Sequence, residues 1–311
     1  MKPVILSLGA LIAAVVLIMG LPQALNKLQG ELIIQVPSNL ISAEGLVLDK
    51  ADTSSEMLIQ VPKSLGLSPP EISAVASLVW DLDSDTVLFS KEVDKKVPIA
   101  STTKIMTALV ATKYFKPNQI LTVYDLSEAG GSSMGLKKGE QIMFRGLLYG
   151  LLLNSGNDAA FTIADNYPGG RASFIAAMNQ EVFQMGLLSS KFDNPAGFDS
   201  PNHYSSASDL AKISVLALED PYLVRIFATR ETSVSSVDKS YTHHLTNLNK
   251  LLDLPGVIGI KTGTTPQAKE NLVGLVEIKD RKILTIVLGS DNRFKETEKL
   301  LKWVEQNFSW N

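Results

Sequence analysis

The strand-like segments of this sequence lie at the two ends of one continuous region, from about residue 73 to the C-terminus, and this arrangement restricts the fold more than any other feature. Two apolar segments joined by an aspartate-rich turn predict a hairpin over residues 76–90. Three further strand-like segments cover residues 256–262, 271–278 and 282–289, with a turn at 279–281. Strands from both ends of one region favour an antiparallel sheet.

The segment between these strands has helical periodicity. Helices are predicted over residues 147–153, 157–166, 174–185 and 208–218, and Gly186 is placed to cap the third. A last amphipathic helix is predicted over residues 294–308 because four apolar residues share one of its faces. We therefore predict an α/β (α+β) domain over residues 72–311. Its antiparallel sheet is packed by the first and last helices, and a helical subdomain is inserted into it.

The N-terminal segment is apolar from residue 4 to residue 21, where Ser7 is the sole polar side chain. That length allows a membrane span and is long for the core of a signal peptide. No small-x-small cleavage site follows, so residues 1–25 are predicted to be an uncleaved membrane anchor, with a cleaved signal segment as the alternative. Residues 26–71 are predicted to be a linker, in which Ile-Gln-Val-Pro occurs twice, at 34–37 and 59–62. We assign no function to this repeat.

Composition excludes several classes of function. A chain of 311 residues, 45% of them hydrophobic, can bury a large core. The net charge of -3 and the lack of a basic run give no sign of a nucleic-acid partner. No cysteine is present, which excludes disulfides, thiol nucleophiles and Cys-ligated zinc. His203, His243 and His244 form no His-Glu-x-x-His motif, so they are predicted to be structural, and neither a metal nor a cofactor is expected.

Ser101 and Lys104 form a Ser-x-x-Lys motif at the start of a predicted helix. Pro98 favours an extended or turn conformation before the helix, and apolar residues at helical spacing follow Lys104. The lysine is then one turn beyond the serine and within reach of its hydroxyl. A serine needs a base to become a nucleophile, and a lysine can be that base if burial or another cation lowers its pKa. The motif is common by chance, and a helix cap followed by an exposed lysine is the alternative.

Two further motifs follow Ser101 and Lys104 along the chain. Ser155-Gly156-Asn157 follows an apolar helix, and Lys261-Thr262-Gly263 follows an apolar strand. The combination of Ser-x-x-Lys, Ser-x-Asn and Lys-Thr-Gly occurs in penicillin-binding proteins and class A β-lactamases. The three motifs together make the chance reading of Ser101 and Lys104 untenable.

From about residue 74 to the C-terminus, the chain resembles the serine D-alanyl-D-alanine carboxypeptidases, which are low-molecular-mass penicillin-binding proteins. Further segments that carry the resemblance are residues 131–136, 138–140, 153–160, 194–199, 203–207, 209–211, 246–252, 289–290 and 293–294. The resemblance implies a β-lactamase/transpeptidase-like fold. It also implies the stem peptide of peptidoglycan as substrate and β-lactams as inhibitors. The catalytic domain is accordingly expected on the extracytoplasmic face of a bacterial cell membrane, or secreted if the N-terminal segment is cleaved.

The resemblance also implies roles for individual residues. Ser101 would attack the carbonyl between two terminal D-alanines to give an acyl-enzyme, with Lys104 as base and Ser155 passing the proton to the leaving group. Asn157 would hold Lys104 and the substrate amide. The remaining residues would bind the substrate: Lys261, Thr262, Gly263, Thr264 and Arg293. Lys261 would also lower the pKa of Lys104. The backbone N–H groups of Ser101 and Thr264 would form the oxyanion hole.

The sequence departs from the family pattern at two positions and leaves alternatives open. Lys269 and Asp85 stand where the family usually has glycine, so a positive φ at either position would strain the backbone. A class A β-lactamase would need a Glu-x-x-Leu-Asn loop between the second and third motifs, and the sequence has none. A D,D-endopeptidase would use the same residues. A catalytically silent peptidoglycan-binding protein is a further alternative, but it would have no chemical need for Ser101, Lys104, Ser155 and Lys261 together.

Overall fold

The computed structural model describes residues 60–310. The predicted N-terminal anchor, the first Ile-Gln-Val-Pro tetrapeptide and most of the predicted linker lie outside this range. Within the described range, no helix combines the length and apolar character needed to cross a membrane.

The described residues form eleven strands and seven α-helices. The strands are β1 (Lys63–Ser64), β2 (Ala76–Asp81), β3 (Thr86–Lys91), β4 (Ile120–Thr122), β5 (Gln141–Met143), β6 (Glu231–Ser235), β7 (Thr242–Thr246), β8 (Val257–Thr265), β9 (Lys269–Ile278), β10 (Arg281–Ser290) and β11 (Phe308–Ser309). The helices are α1 (Lys104–Tyr114), α2 (Phe144–Leu152), α3 (Asn157–Asp165), α4 (Gly170–Gln184), α5 (Ala207–Leu218), α6 (Pro221–Phe227) and α7 (Arg293–Asn307). Short 3₁₀ turns occur at Ala100–Thr103 and Lys250–Asp253.

The main sheet has five antiparallel strands in the order β3-β2-β10-β9-β8. The predicted N-terminal hairpin and the three predicted C-terminal strands supply all five, so the fold-class prediction is confirmed. Strand β10 is buried from Ile283 to Ser290 and therefore reads as a continuous apolar run rather than an alternating one. Ile283 and Val287 face one core, whereas Leu284 and Ile286 face the other.

Helices cover both faces of the sheet. The predicted last helix, α7, packs Leu300 and Val304 against one face, as expected. On the other face, the helix that contacts β10 and β2 is α5 rather than the first helix, α1. Helix α1 is buried along its first eight residues and packs among other helices, because a helix that is apolar on all sides belongs in the interior.

Three pairings were not predicted. The two-stranded sheets β4–β5 and β6–β7 lack a clear apolar alternation, since β4 and β5 have only three residues each and β6 is largely Ser and Thr. Strand β1, in the predicted linker, pairs with β11, and the Leu65 N–H donates to the Asn307 carbonyl at 2.7 Å. The end of the predicted linker is thus part of the folded structure.

The two positions where the family usually has glycine both have a positive φ. Asp85 has φ 52° and Lys269 has φ 53°. A side chain in this region costs about 1–2 kcal/mol relative to glycine. Contacts offset part of this cost: Trp80 Nε1 donates to Asp85 Oδ1 at 3.1 Å, and Lys269 Nζ forms a 2.9 Å ion pair with Asp291.

Candidate active site

Ser101 lies in the 3₁₀ turn that leads into α1, one turn before Lys104. The turn is fixed by the two threonine side chains that follow the serine. Thr102 Oγ1 donates to the Ile99 carbonyl at 2.6 Å, and Thr103 Oγ1 donates to the Ala100 carbonyl at 2.7 Å. Ala100 has φ 48°, an unfavourable value for alanine that the surrounding contacts must maintain. The serine is therefore held at the start of the helix, as the sequence predicted.

Lys104 is fully buried, with 0% of its surface exposed, and its amine is surrounded by three oxygens. Nζ lies 2.9 Å from Ser101 Oγ, 2.7 Å from Asn157 Oδ1 and 2.6 Å from the Ala196 carbonyl oxygen. Burial lowers the pKa of Lys104 well below its ordinary value, the charge of Lys261 lowers it further, and Asp158 partly opposes both. A neutral amine keeps a lone pair, so in that state Lys104 can accept the Ser101 proton. The exposed-lysine alternative is excluded.

The second motif supplies an amide to the same site and carries a buried hydroxyl two residues before it. Ser155 has φ 57°, and its hydroxyl is buried without a hydrogen-bond partner among the described residues. Asn157 is the first residue of α3. Its amide accepts from Lys104 through Oδ1 and donates through Nδ2 to the Gly130 carbonyl at 2.5 Å. An unpaired buried hydroxyl costs free energy, and such a group is suited to a proton or ligand that arrives during reaction.

The third motif lies on β8, an edge strand of the main sheet that packs against the Ser101 turn. Gly263 makes this approach possible, because a Cβ there would lie 2.9 Å from Ser101 N and 3.1 Å from the Ile99 carbonyl oxygen. Lys261 is 1% exposed and donates to the Thr262 carbonyl at 3.0 Å. Burial, followed by the charge of Arg293, lowers the pKa of Lys261 to about 7.

Arg293, the first residue of α7, reaches the end of β8. Its guanidinium donates to the Gly263 carbonyl at 2.9 Å, while Nε is buried without a partner among residues 60–310. Burial lowers the pKa of Arg293, and Glu270 partly opposes this effect. Thr262 is buried, whereas Thr264 is exposed and donates through Oγ1 to the Lys269 carbonyl at 2.8 Å. The structure thus brings Arg293 to the strand that carries Lys261, Thr262, Gly263 and Thr264.

The loop of residues 194–199 contributes to the site in ways that the motifs do not reveal. Its Ala196 carbonyl accepts from Lys104, and its Pro195 carbonyl accepts from Thr107 Oγ1 at 2.7 Å. Asn194 Oδ1 accepts from the backbone N–H groups of residues 196, 197 and 198, which fixes the loop. Gly197 is required because an added Cβ would overlap the Ala100 carbonyl. The segment 194–199 carries part of the family resemblance, but nothing in its side chains predicts a carbonyl ligand for the lysine.

Asp199 connects the same loop to the turn between β8 and β9. Thr265 Oγ1 donates to Asp199 Oδ1 at 2.6 Å, and the Gln267 N–H donates to Oδ2 at 3.2 Å. One short loop therefore holds both the amine of Lys104 and the end of the strand that carries the third motif.

The three histidines take structural positions, as predicted. His203 Nε2 lies 2.7 Å from Thr103 Oγ1, whose own proton goes to the Ala100 carbonyl, so Nε2 carries a proton and donates. His203 Nδ1 accepts from the Asp193 N–H at 3.2 Å. His243 Nε2 lies 2.7 Å from Glu140 Oε1, and His244 is exposed beside Ser233. His203 supports the residue two positions after the nucleophile rather than Ser101 itself.

We expect His203 to make the fold sensitive to acid. Burial lowers the pKa of His203 to about 4, and Asp193 partly opposes this shift. Between about pH 4 and the ordinary histidine pKa of 6.5, the unfolded chain binds a proton that the native chain does not, so the free energy of unfolding falls as pH falls. In His203→Gln, whose amide can still donate to Thr103, this part of the pH dependence should disappear from thermal unfolding between pH 4 and 7. An unchanged slope would contradict the assignment.

Comparison with known proteins identifies the family of this chain. The family model described as D-alanyl-D-alanine carboxypeptidase, Peptidase_S11, matches residues 63–292. The chain belongs to this family. D-alanyl-D-alanine carboxypeptidase DacC of Escherichia coli is 34% identical over 75% of this chain and 62% of its own length. A D-alanyl-D-alanine endopeptidase of Pseudomonas aeruginosa is 31% identical over 79% of this chain and 85% of its own length.

Solved structures show the same fold. The DD-transpeptidase of Streptomyces K15 has a TM-score of 0.72 and 29% identity, covering 76% of this chain and 98% of that one. A penicillin-binding protein homologue of Mycobacterium tuberculosis has a TM-score of 0.71 and 31% identity, covering 78% of this chain and 95% of that one. The chain spans less than two thirds of the E. coli carboxypeptidase, so the family membership and the fold of residues 60–310 are what these matches establish.

Proposed function

We propose that the protein is a serine D-Ala-D-Ala carboxypeptidase that removes the terminal D-alanine from the stem peptides of peptidoglycan. The observation that carries the proposal is the Lys104 amine, buried, low in pKa and 2.9 Å from Ser101 Oγ. A base at this distance can take the serine proton as Oγ attacks a carbonyl carbon. Support comes from relatives that are named D-alanyl-D-alanine carboxypeptidases.

The reaction has two steps that use the same residues. In acylation, Lys104 accepts the Ser101 proton and Oγ bonds to the penultimate D-alanine carbonyl, while the N–H groups of Ser101 and Thr264 stabilise the oxyanion. The proton then passes through Ser155 to the nitrogen of the departing D-alanine. In deacylation, Lys104 accepts a proton from water as the water attacks the ester carbonyl, and it returns a proton to Ser101 Oγ as the ester bond breaks. The unpaired Ser155 hydroxyl suits this transfer, because it has no competing partner among the described residues.

Substrate orientation would come from β8 and Arg293. As an edge strand, β8 can pair with an extended stem peptide through its free backbone groups. Arg293, with Thr262 and Thr264, would bind the terminal carboxylate, and its unpartnered Nε leaves a donor for that purpose. Asn157 would contact the substrate amide while it holds Lys104.

A second candidate is D,D-endopeptidase activity on cross-linked stems. The specific observation in its favour is the Pseudomonas aeruginosa endopeptidase, of which the chain covers 85%, against 62% for the E. coli carboxypeptidase DacC. Both reactions cleave after a D-alanine and would use the same groups. They differ in whether a free carboxylate or a peptide continues beyond the cleaved bond.

The experiment is a competition between two substrates with the full-length chain. A pentapeptide stem ending in D-Ala-D-Ala and a purified cross-linked dimer are supplied together, and products are separated by liquid chromatography with mass detection. Carboxypeptidase activity predicts free D-alanine with little cleavage of the dimer. Preferential cleavage of the dimer would assign the endopeptidase reaction. No turnover of either substrate by a folded chain that also fails to bind β-lactams would support the silent binding protein.

We also propose that residues 1–25 anchor the protein in the cell membrane, with the catalytic domain on the extracytoplasmic face. The support is the apolar run of residues 4–21 together with a wall substrate outside the membrane. Mass spectrometry of the N-terminus of the protein isolated from washed membranes tests this. An intact Met1 region in the membrane fraction is expected, whereas a processed N-terminus in the soluble fraction would show a cleaved signal.

A further inference from the structure

A groove of about 600 Å³ lies between strand β6 and the region formed by β5 and α2. None of the residues assigned to catalysis or substrate binding lines it. One wall is the continuous stretch 232–236, and the other includes Arg145 and Tyr149. Lys239 lies at the rim on the turn between β6 and β7. The groove is thus a separate concave surface with a β-strand along one side.

The edge of β6 that faces away from β7 has backbone groups available for hydrogen bonding. The Asn247 N–H donates to the Arg230 carbonyl and the Ser236 N–H donates to the Tyr241 carbonyl, so the even-numbered residues of β6 bond to β7. Because backbone groups alternate between the two edges of an antiparallel strand, those of Ser233 and Ser235 point away from β7. Within residues 60–310, β6 pairs with no strand other than β7.

One backbone hydrogen bond on this outer edge is formed within the chain, just beyond the end of β6. Val237, the next odd-numbered residue, donates its N–H to the Gln141 carbonyl of β5 at 2.8 Å. Beyond this bond β5 gives way to α2, while β6 continues along the groove. The groove therefore begins where β5 no longer lies beside the outer edge of β6. An extended chain placed there would continue the backbone hydrogen bonding that Val237 begins with Gln141.

The charges around the groove favour an acidic occupant. Arg145 and Lys239 line it, and no acidic residue does. Neither cationic side chain forms an ion pair or a hydrogen bond with the rest of the described chain. Asp238, beside Lys239, stays ionised, but it accepts from the hydroxyls of Ser236 at 2.7 Å and Ser240 at 2.6 Å and does not line the groove. This local excess of positive charge contrasts with the net charge of -3 for the whole chain.

We propose that this groove binds an extended acidic segment of a partner protein, which adds to β6 as a third strand. Backbone groups of Ser233 and Ser235 would pair with the segment, as in other peptide-binding sheet edges. Carboxylates of the segment would lie near Arg145 and Lys239, and its alternate side chains would contact Tyr149. A peptide carries the repeating backbone N–H and C=O groups that this edge would pair with, whereas a glycan has no such backbone.

The test uses the full-length chain and the peptide acetyl-Glu-Val-Glu-Val-Glu-Val-amide, with a peptide of the same pattern in which lysine replaces glutamate as the control. Hydrogen exchange read by NMR should show slower exchange of the Ser233 and Ser235 amides when the acidic peptide is bound. The lysine peptide should give no such protection. The double variant Arg145→Ala/Lys239→Ala should weaken binding of the acidic peptide about tenfold, because two rim charges are lost.

Acylation of the double variant by benzylpenicillin at the parent rate is the control for folding, since neither residue belongs to the catalytic machinery. Equal affinity for both peptides, or binding without protection of Ser233 and Ser235, would overturn the proposal. Soluble peptidoglycan fragments are tested in parallel. Protection of the same amides by those fragments, with none by the acidic peptide, would assign the groove to the wall polymer instead and equally overturn it.

Discussion

Replacing Ser101 with alanine should abolish acyl-enzyme formation and leave the fold intact. Loss of a serine nucleophile lowers turnover on the order of 10⁶-fold in a well-studied serine hydrolase, and no other group here is placed to replace Ser101 Oγ. The Lys104 amine would retain Asn157 Oδ1 and the Ala196 carbonyl as partners at 2.7 and 2.6 Å, so the variant leaves no stranded buried charge. Thermal unfolding of the variant should match that of the parent closely.

The measurement is intact-protein mass spectrometry after incubation with benzylpenicillin. The parent should gain the mass of one ring-opened penicillin, and Ser101→Ala should gain none. Ser127→Ala, which removes an exposed serine hydroxyl bonded to Asp125 at 2.7 Å, is the matched control and should acylate normally. A stable adduct on Ser101→Ala would refute the assignment of the nucleophile.

Other results for the parent protein with benzylpenicillin would each lead to a different functional assignment. Rapid appearance of hydrolysed drug without a lasting adduct would indicate β-lactamase behaviour. Neither adduct nor hydrolysis would favour the silent binding protein. In that case Lys269→Gly is the first variant to make, because Lys269 holds φ 53° at the turn that accepts from Thr264.

The parts of this protein that the sequence predicted are those encoded by local patterns. Alternating or continuous apolar runs predicted the five strands of the main sheet. The turn predicted at residues 279–281 coincides with the observed connection between β9 and β10 at residues 279–280, with Arg281 already in β10. Each of the three motifs can be recognised by itself, because each has particular side chains at a fixed spacing. The prediction that Ser101, Lys104, Asn157 and Lys261 meet in space, in contrast, required the resemblance to a known family.

Other parts of the site depend on groups that every residue has, and these leave no signal in a single sequence. The Ala196 carbonyl binds Lys104, but any residue at that position would offer the same oxygen. Gly197 is needed because its φ is 92° and because the carbonyl of Ala100, a residue far away in the sequence, lies against it. The prediction that the first helix packs on the sheet was wrong for a similar reason. Helices α1 and α5 are both apolar, and tertiary packing, which a single sequence does not show, decides that α5 contacts β10.

Replacing Lys104 with methionine should have the second largest effect, lowering the acylation rate by roughly 10²–10⁴-fold, the usual contribution of a general base. Methionine fills a similar volume without a basic nitrogen. Because burial of the lysine disfavours its charged form, the variant should unfold at a higher temperature than the parent at neutral pH. A less active but more stable variant would separate loss of the base from misfolding. Lys104→Arg, charged but unable to act as a base, should be as slow as Lys104→Met.

The pH dependence identifies the lysine as the base rather than as a mere positive charge. Only neutral Lys104 can accept the Ser101 proton, so the parent acylation rate should rise with pH and level off above the lowered pKa of Lys104. Lys261→Met removes a charge that lowers this pKa, so the rising limb should move to higher pH. Stopped-flow acylation with a chromogenic cephalosporin from pH 5 to pH 10 measures both profiles. If Lys104→Met acylated at the parent rate, Lys104 would have a purely structural role. If Lys261→Met lowered the acylation rate equally at every pH without moving the rising limb of the profile, Lys261 would have a purely binding role.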